Sequence, residues 1–379
     1  MNIYLDNAAT TPMHPEVVKE ITQMMQEEYG NPSSTHSHGR IVRTRIEEAR
    51  KKIAAYLNCT PGEIFFTSGG TEADNMAIRK SVSDCGVKNI ISSVIEHHAV
   101  THTIEELVKE GLVNSHYVNL LPNGHIDLTH LEDLLKQFPN ALVSLMHANN
   151  EIGNLLDIDK VGELCHQYSA LFHCDTVQTM GHLPFDLSKT NVTFLACGAH
   201  KFNGPKGVGF IYINHSTKIT PYLTGGSQER NMRGGTENAY GIVGMAKALS
   251  LAYDHLELEK NQIQGIKTYM IEQLQKHIPD VKFNGDHVRS SLYTVLNVSF
   301  PPSPFAEMLL FKLDIAGISA SGGSACSSGS SIGSHVLAAL HADPSRPNVR
   351  FSFGRQNTKE EIDYVISKLQ EMFNSAANS

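Results

Sequence analysis

The chain has 379 residues, 41% of them apolar and 18% charged, the balance of a soluble enzyme with a large core and room for two or three domains. A formal charge of −8 without any run of lysine or arginine argues against direct binding to nucleic acid or an anionic membrane. No apolar run reaches spanning length, and Met1–Asp6 holds no basic segment followed by an apolar one, so a cytoplasmic location is expected.

A first helix is expected over Pro15–Glu28. Short apolar segments then alternate with amphipathic ones: Ile64–Phe66, Asn89–Ile95, Ala141–His147, Ala170–Cys174, Val192–Ala196 and Gly207–Ile213 read as strands. That alternation predicts an α/β fold built on a mostly parallel sheet. A charged helix over Leu256–His277 leads to a second unit with strands Leu292–Phe300 and Val349–Phe353 and a closing helix near Lys359–Phe373. The expected division is a large domain over 15–255 and a small one formed by 1–14 and 256–379.

Chemistry-bearing residues follow the strands. Thr67-Ser68-Gly69-Gly70-Thr71-Glu72-Ala73-Asp74-Asn75 comes after the first and opens a helix, with Thr71 and Asp74 spaced as a capping box. Its glycines let an anion approach backbone amides at the positive end of the helix dipole, a phosphate seat, although a glycine turn that merely starts a helix reads equally well. Neither the lysine-serine ending of a P-loop nor the three-glycine dinucleotide fingerprint is present. His97, Asn150, Asp175 and Lys201 each come just after a strand, which gathers them at the carboxyl ends, where open α/β sheets bind ligands.

Lys201 closes an apolar strand amid glycines, in Cys197-Gly198-Ala199-His200-Lys201-Phe202-Asn203-Gly204. A desolvated lysine amine can bond covalently to an aldehyde, so Lys201 reads as a pyridoxal phosphate lysine; taken alone it also reads as a strand cap. Asp175, at the end of the preceding strand, suits the protonated ring nitrogen of that cofactor, and Gln178 its phenolic oxygen. A turn or helix-capping role is the alternative for Asp175.

Six cysteines show no Cys-x-x-Cys and no zinc spacing, so neither a disulfide framework nor a metal is expected. Five lie in or beside apolar stretches. Cys326 instead lies in Ser319-Ala320-Ser321-Gly322-Gly323-Ser324-Ala325-Cys326-Ser327-Ser328-Gly329, where an accessible, reactive thiol competes with an incidental cysteine in a linker.

These motifs, together with Tyr4-Leu5-Asp6-Asn7-Ala8-Ala9-Thr10-Thr11-Pro12, Gly30-Asn31-Pro32-Ser33-Ser34, Glu96-His97, Asn149-Asn150-Glu151-Ile152-Gly153, Met232-Arg233-Gly234-Gly235-Thr236-Glu237-Asn238 and Arg350-Phe351-Ser352-Phe353-Gly354-Arg355, resemble the group I cysteine desulfurases of the nitrogen-fixation and iron–sulfur-cluster type. These are class V aminotransferase-like, fold-type I enzymes. The resemblance implies a large domain with a mostly parallel seven-stranded sheet, a smaller α+β C-terminal domain, pyridoxal 5'-phosphate as cofactor and a homodimer. It makes Lys201 the Schiff-base lysine, Asp175 and Gln178 ring contacts, and His97 a ring-stacking proton carrier. Phosphate contacts fall to Gly70, Thr71 and His200, with Thr236 reaching over from a second subunit. Asn150 and Arg350 would hold L-cysteine, the arginine by a forked contact to its carboxylate. Cys326 would take the substrate sulfur as a persulfide, leaving alanine, and pass it to an acceptor such as an iron–sulfur scaffold. A selenocysteine lyase or related aminotransferase, where Cys326 is dispensable, is the second reading; a dimeric scaffold that binds cofactor only for stability is the third. The chain departs from the family pattern at Gly198, where a phosphate-binding Ser or Thr is usual, and in ending at Ser379 without a longer docking tail.

Overall fold

The computed structural model describes residues 2–322 and 333–377. Its central sheet has seven strands in the order Ile64–Thr67, Gly209–Ile213, Phe194–Gly198, Leu171–Asp175, Leu142–Ser144, Asn89–Ser92, Asn114–Tyr117. Gly209–Ile213 runs antiparallel to both its neighbours, and every other pairing is parallel. Phe194–Gly198 and Gly209–Ile213 are buried at every position, as apolar runs covered on both faces must be.

Several short elements escaped the apolar signal, among them the strands Ile3–Tyr4, Lys282–Asn284 and Ile318–Ser319, and so did two more substantial ones. Asn114–Tyr117 is a polar, half-exposed edge strand, so it offers no apolar run to read. Ser37–Tyr56 is a long helix whose charged composition hides a buried stripe of Val42, Ile46, Ala49 and Ile53 at helical spacing. The expected strand Asn89–Ile95 stops at Ser92, while the helix Leu256–His277 has the expected bounds.

A second, antiparallel sheet pairs Val295–Ser299 with Asn348–Ser352 on one side and Lys282–Asn284 on the other. Helices Leu256–His277 and Lys359–Ala377 pack beside one another in this unit. The N-terminal strand Ile3–Tyr4 pairs in parallel with Ile318–Ser319, and Ile3, Leu5 and Ala8 join the apolar cluster that holds Val298 and Phe351. Among the described residues, no helix is long and apolar enough to cross a membrane.

The turn Gln228–Asn231 places three successive non-glycine residues in the left-handed region, Glu229, Arg230 and Asn231 at φ of 45°, 56° and 66°. Such residues cost of order 1–3 kcal/mol each and persist only where the surroundings hold them. Here Glu229 accepts from Arg50 at both carboxylate oxygens, 2.8 Å each, and from the Phe66 amide. Arg50 is 2% exposed and also donates to the Ile64 carbonyl. Arg50 also reaches Glu47 at 3.3 Å, but Glu229 is its buried partner, and removing that charge leaves the guanidinium poorly compensated in the interior. Glu229→Gln should therefore destabilise the chain by about 3 kcal/mol, read as a lowered urea midpoint by circular dichroism; an unchanged midpoint would contradict the role given to this pair.

Candidate active site

At the carboxyl ends of the parallel strands lies a cavity of about 220 Å³. A larger, open depression of about 670 Å³ lies elsewhere, beside Cys59, Glu63 and His215. Its one buried acid, Glu63, is already satisfied by Thr60, Tyr212 and His215. The smaller cavity instead gathers Lys201, Asp175, His97 and Arg350.

Strand Phe194–Gly198 ends in a single 3-10 turn, Ala199–Lys201, which brings Lys201 to the cavity wall. Its Nζ donates to the Ala8 carbonyl at 2.5 Å and the Ala9 carbonyl at 2.8 Å. The same Ala8 carbonyl accepts from Gln178 Nε2 at 3.0 Å. The N-terminal segment is tied down further by Thr11, whose amide donates to the His200 carbonyl, and by Thr10, whose hydroxyl lies 3.2 Å from His200 Nδ1. Burial, aided by Lys201, lowers His200 to about 4, so its imidazole is neutral at neutral pH.

Asp175 ends strand Leu171–Asp175 and is 6% exposed. Burial first, then Asp74, push its carboxyl up to about 7, against the Val177 amide, His173 and Lys201, which pull it down. Its Oδ1 accepts the Val177 N–H at 2.8 Å. A buried carboxyl on a cavity wall with so few donors is suited to a cationic N–H, and the protonated nitrogen of a pyridinium ring fits that demand.

The opposite requirement, an anion seat, is met by helix Gly70–Ser83. Its N-cap Gly69 has φ 155° and ψ −174°, a region open to glycine alone. A Cβ on Gly70 would fall 2.4 Å from Val177 Cγ2, so the helix start packs tightly against the turn after Asp175. The first-turn amides of a helix have no intrahelical acceptor and point at whatever binds there. Gly70 and Thr71 both line the cavity. The capping box expected of Thr71 and Asp74 does not form: Glu72 accepts the Ser68 amide instead, and Asp74 turns into the interior, where it is 1% exposed. Next to this seat, a Cβ on Gly198 would lie 3.4 Å from the Gly70 nitrogen.

His97 caps helix His98–Lys109, its Nδ1 accepting the Ala99 N–H at 3.1 Å. Burial, then Lys201 and neighbouring histidines, lower it to about 4; the neutral ring therefore carries its proton on Nε2. Arg350 is 1% exposed, its Nη2 donating to Asp6 Oδ1 at 2.8 Å and its Nη1 to the Asn150 carbonyl at 2.9 Å. Its Nε is buried without an acceptor among the described residues. Ser321 Oγ also donates to Asp6. Sequence reasoning did not assign roles to Asp6, Ser321, Ala8 or Ala9, although Asp6, Ala8 and Ala9 lie inside the N-terminal motif.

Lys201, Asp175, Gln178, His97, Gly70, Thr71, Asn150, His200 and Arg350 thus share one cavity. Thr236 does not line it within one chain; it lies in a neighbouring crevice with Ser68, Arg233 and Asn238. Cys326 is outside the described residues. Among the described residues no cluster of His, Cys, Asp and Glu is arranged to hold a metal.

Comparison with known proteins agrees with this geometry. The aminotransferase class-V family model matches residues 3–365. The chain is 42% identical to the cysteine desulfurase IscS of Dictyoglomus turgidum, over 98% of this chain and 94% of that one. A solved NifS-like protein superposes with a TM-score of 0.91 at 34% identity, covering 99% of this chain and 100% of its own. A structure described as SspA in complex with cysteine superposes with a TM-score of 0.81 at 27% identity, covering 94% of this chain and 100% of its own. With an anion seat, a buried carboxyl and a lysine in one cavity, and these likenesses along nearly the whole chain, the protein belongs to the class-V aminotransferase family, among its pyridoxal phosphate-dependent cysteine desulfurases.

Proposed function

We propose that this enzyme takes sulfur from L-cysteine onto Cys326, releases L-alanine and passes the sulfur on for iron–sulfur cluster assembly or another thiolation. The observation that carries this reading is the convergence of Lys201, Asp175 and the Gly70–Thr71 helix start on one cavity that also holds Arg350. Bound pyridoxal phosphate supplies the electron sink for carbanion chemistry at the substrate's Cα.

The residues divide the remaining work. Gly70, Thr71 and His200 hold the phosphate, with Thr236 of a second copy completing that seat in a homodimer. Asp175 keeps the ring nitrogen protonated, Gln178 contacts the phenolic oxygen, and His97 stacks on the ring. Arg350 presents its unpartnered Nε to the substrate carboxylate while Asp6 and the Asn150 carbonyl fix its fork, and Asn150 completes that contact. Lys201 moves the Cα proton, with neutral His97 carrying protons at Nε2. The Cys326 thiolate then attacks the substrate sulfur: a sulfur–sulfur bond forms, the carbon–sulfur bond breaks, and the carbon fragment is protonated to alanine. The enzyme is left with a persulfide, a reversible cap on the thiol. We place the reaction in the cytoplasm, in a chain divided into a large domain over 15–255 and a small one over 1–14 and 256–379.

Cys326→Ser should retain the cofactor's visible absorbance and lose sulfide release from L-cysteine by at least about a hundredfold. Sulfide and alanine formed at the parent rate would overturn the role of Cys326 and move the reading to a lyase.

Asp175 has a pH signature of its own. Its folded value of about 7 stands above the ordinary 3.8, so below 3.8 both folded and unfolded chains are protonated there and its burial costs nothing. As pH rises toward about 7 the unfolded chain ionises first, and the folded chain loses stability relative to one lacking the acid. Cofactor-free Asp175→Asn should therefore gain stability over the parent progressively across that window, measured by thermal denaturation; a gap independent of pH would contradict it.

Arg350→Lys keeps the charge but removes the Nε–H that has no acceptor among the described residues and the guanidinium plane held by Asp6 and the Asn150 carbonyl, not the forked contact to the carboxylate that the sequence led one to expect. The Michaelis constant for L-cysteine should rise by about tenfold or more, and steady-state kinetics showing an unchanged constant would remove Arg350 from the substrate site.

A further inference from the structure

Beneath the cavity a row of polar side chains crosses the otherwise apolar sheet. Ser92, Ser144 and His173 are each 0% exposed and stand side by side on three adjacent strands, Ser92 opposite Ser144 and Ser144 opposite His173. His173 shares its strand face with Asp175, two residues on. Its Nδ1 is 2.9 Å from Ser144 Oγ, and its Nε2 is 3.2 Å from Asp74 Oδ1. Neither Nε2 nor Oδ1 has a well-aligned hydrogen bond to any described residue, and Asp74 borders the cavity. Buried polar groups left this way in a native interior call for an explanation.

We propose that Asp74 is a positioning residue of the cofactor site: a carboxylic acid that keeps its proton, set beside neutral His173, so that the cavity presents a single negative charge, on Asp175. This rests on the cofactor reading above and adds a residue to it.

The assignment follows from the donors each acid can reach. Three carboxyls, Asp74, Glu96 and Asp175, lie buried together, and the cationic or titratable groups that act on them are Lys201, His173 and the buried thiols Cys174 and Cys197, both pushed further toward the neutral form. Carboxyls this close cannot all ionise, so they divide according to environment. Asp175 accepts the Val177 amide, which favours its ionised form, whereas Glu96 accepts the Met146 amide yet is still pushed well above the carboxylate range by burial, Asp175 and Asp74. Asp74 receives no backbone amide among the described bonds and has only His173 beside it. Ser144 Oγ has Nδ1 as its one described partner, so its hydroxyl hydrogen goes there and the imidazole proton sits on Nε2, which lies 3.2 Å from Asp74 Oδ1 without being well aligned to it. Burial pushes Asp74 well above the carboxylate range, with nothing pulling it back. Its proton is then available for a hydrogen bond into the cavity, and Asp175 keeps its charge for the ring nitrogen.

Infrared difference spectra of the full chain, loaded with pyridoxal phosphate at mildly alkaline pH, test this directly. Asp74→Asn should delete one protonated-acid carbonyl band, a band that shifts in heavy water and is separate from any removed by Glu96→Gln. A spectrum unchanged by Asp74→Asn overturns the proposal. Equilibrium titration with pyridoxal phosphate supplies a second readout: Asp74→Ala should weaken binding about tenfold, and Asp74→Asn, which still donates and accepts, should stay within about threefold of the parent. An asparagine variant as weak as the alanine one would mean that charge matters, and would overturn the neutral acid. A parent chain that binds no pyridoxal phosphate would instead sink the cofactor reading, while the infrared band in the cofactor-free chain would still decide the protonation of Asp74.

Discussion

The site depends on one constraint: a carboxyl group has to sit nearly dry at the end of a parallel strand and still be ionisable. Asp175 meets it because its strand is interior, flanked by Leu142–Ser144 and Phe194–Gly198, while its own carboxylate keeps one backbone donor from the turn that follows. Full satisfaction by protein donors would leave nothing for a ligand to supply, and a wholly apolar surrounding would suppress the charge altogether. The same turn brings Val177 against Gly70, so the anion seat and the carboxyl are set by one close contact and cannot drift apart independently.

A second layer of organisation comes from the N-terminus. Residues 3–11 leave the small sheet's cluster, pass Asp6 beside Arg350, place the Ala8 and Ala9 carbonyls on Lys201, and end at the His200 carbonyl. The lysine and the arginine, drawn from different sheets, are thereby referenced to one short peptide. A buried ion pair such as Arg350 with Asp6 contributes little net stability once desolvation is counted. Its value here is geometric, because with the Asn150 carbonyl it fixes the guanidinium plane at the cavity wall.

Much of this was legible in the sequence, and for physical reasons. Interior parallel strands such as Val192–Ala196 announce themselves as unbroken apolar runs, and chemistry follows such strands at their carboxyl ends, so Asp175 and Lys201 stood out without coordinates. Asn114–Tyr117 did not, because this edge strand is half-exposed and carries polar residues. Asp74 was misread as a cap since capping spacing is a local pattern, whereas its partner His173 lies about a hundred residues away in the chain and meets it only through the sheet. The roles of Asp6, Ala8 and Ala9 were likewise hidden: two act through backbone carbonyls, which no residue type advertises, and the third through an arginine near the other end of the chain.

The pairing of Ile3–Tyr4 with Ile318–Ser319 has a consequence for how the molecule is made. Ala8, Ala9 and Thr11 bond to Lys201 and His200, whereas Ile3–Tyr4 has its strand partner much farther along the chain. Contacts of such long sequence separation are slow to close and are made late. The lysine can therefore meet its carbonyl acceptors before Asp6 meets Arg350, and a finished central sheet is not yet a finished site.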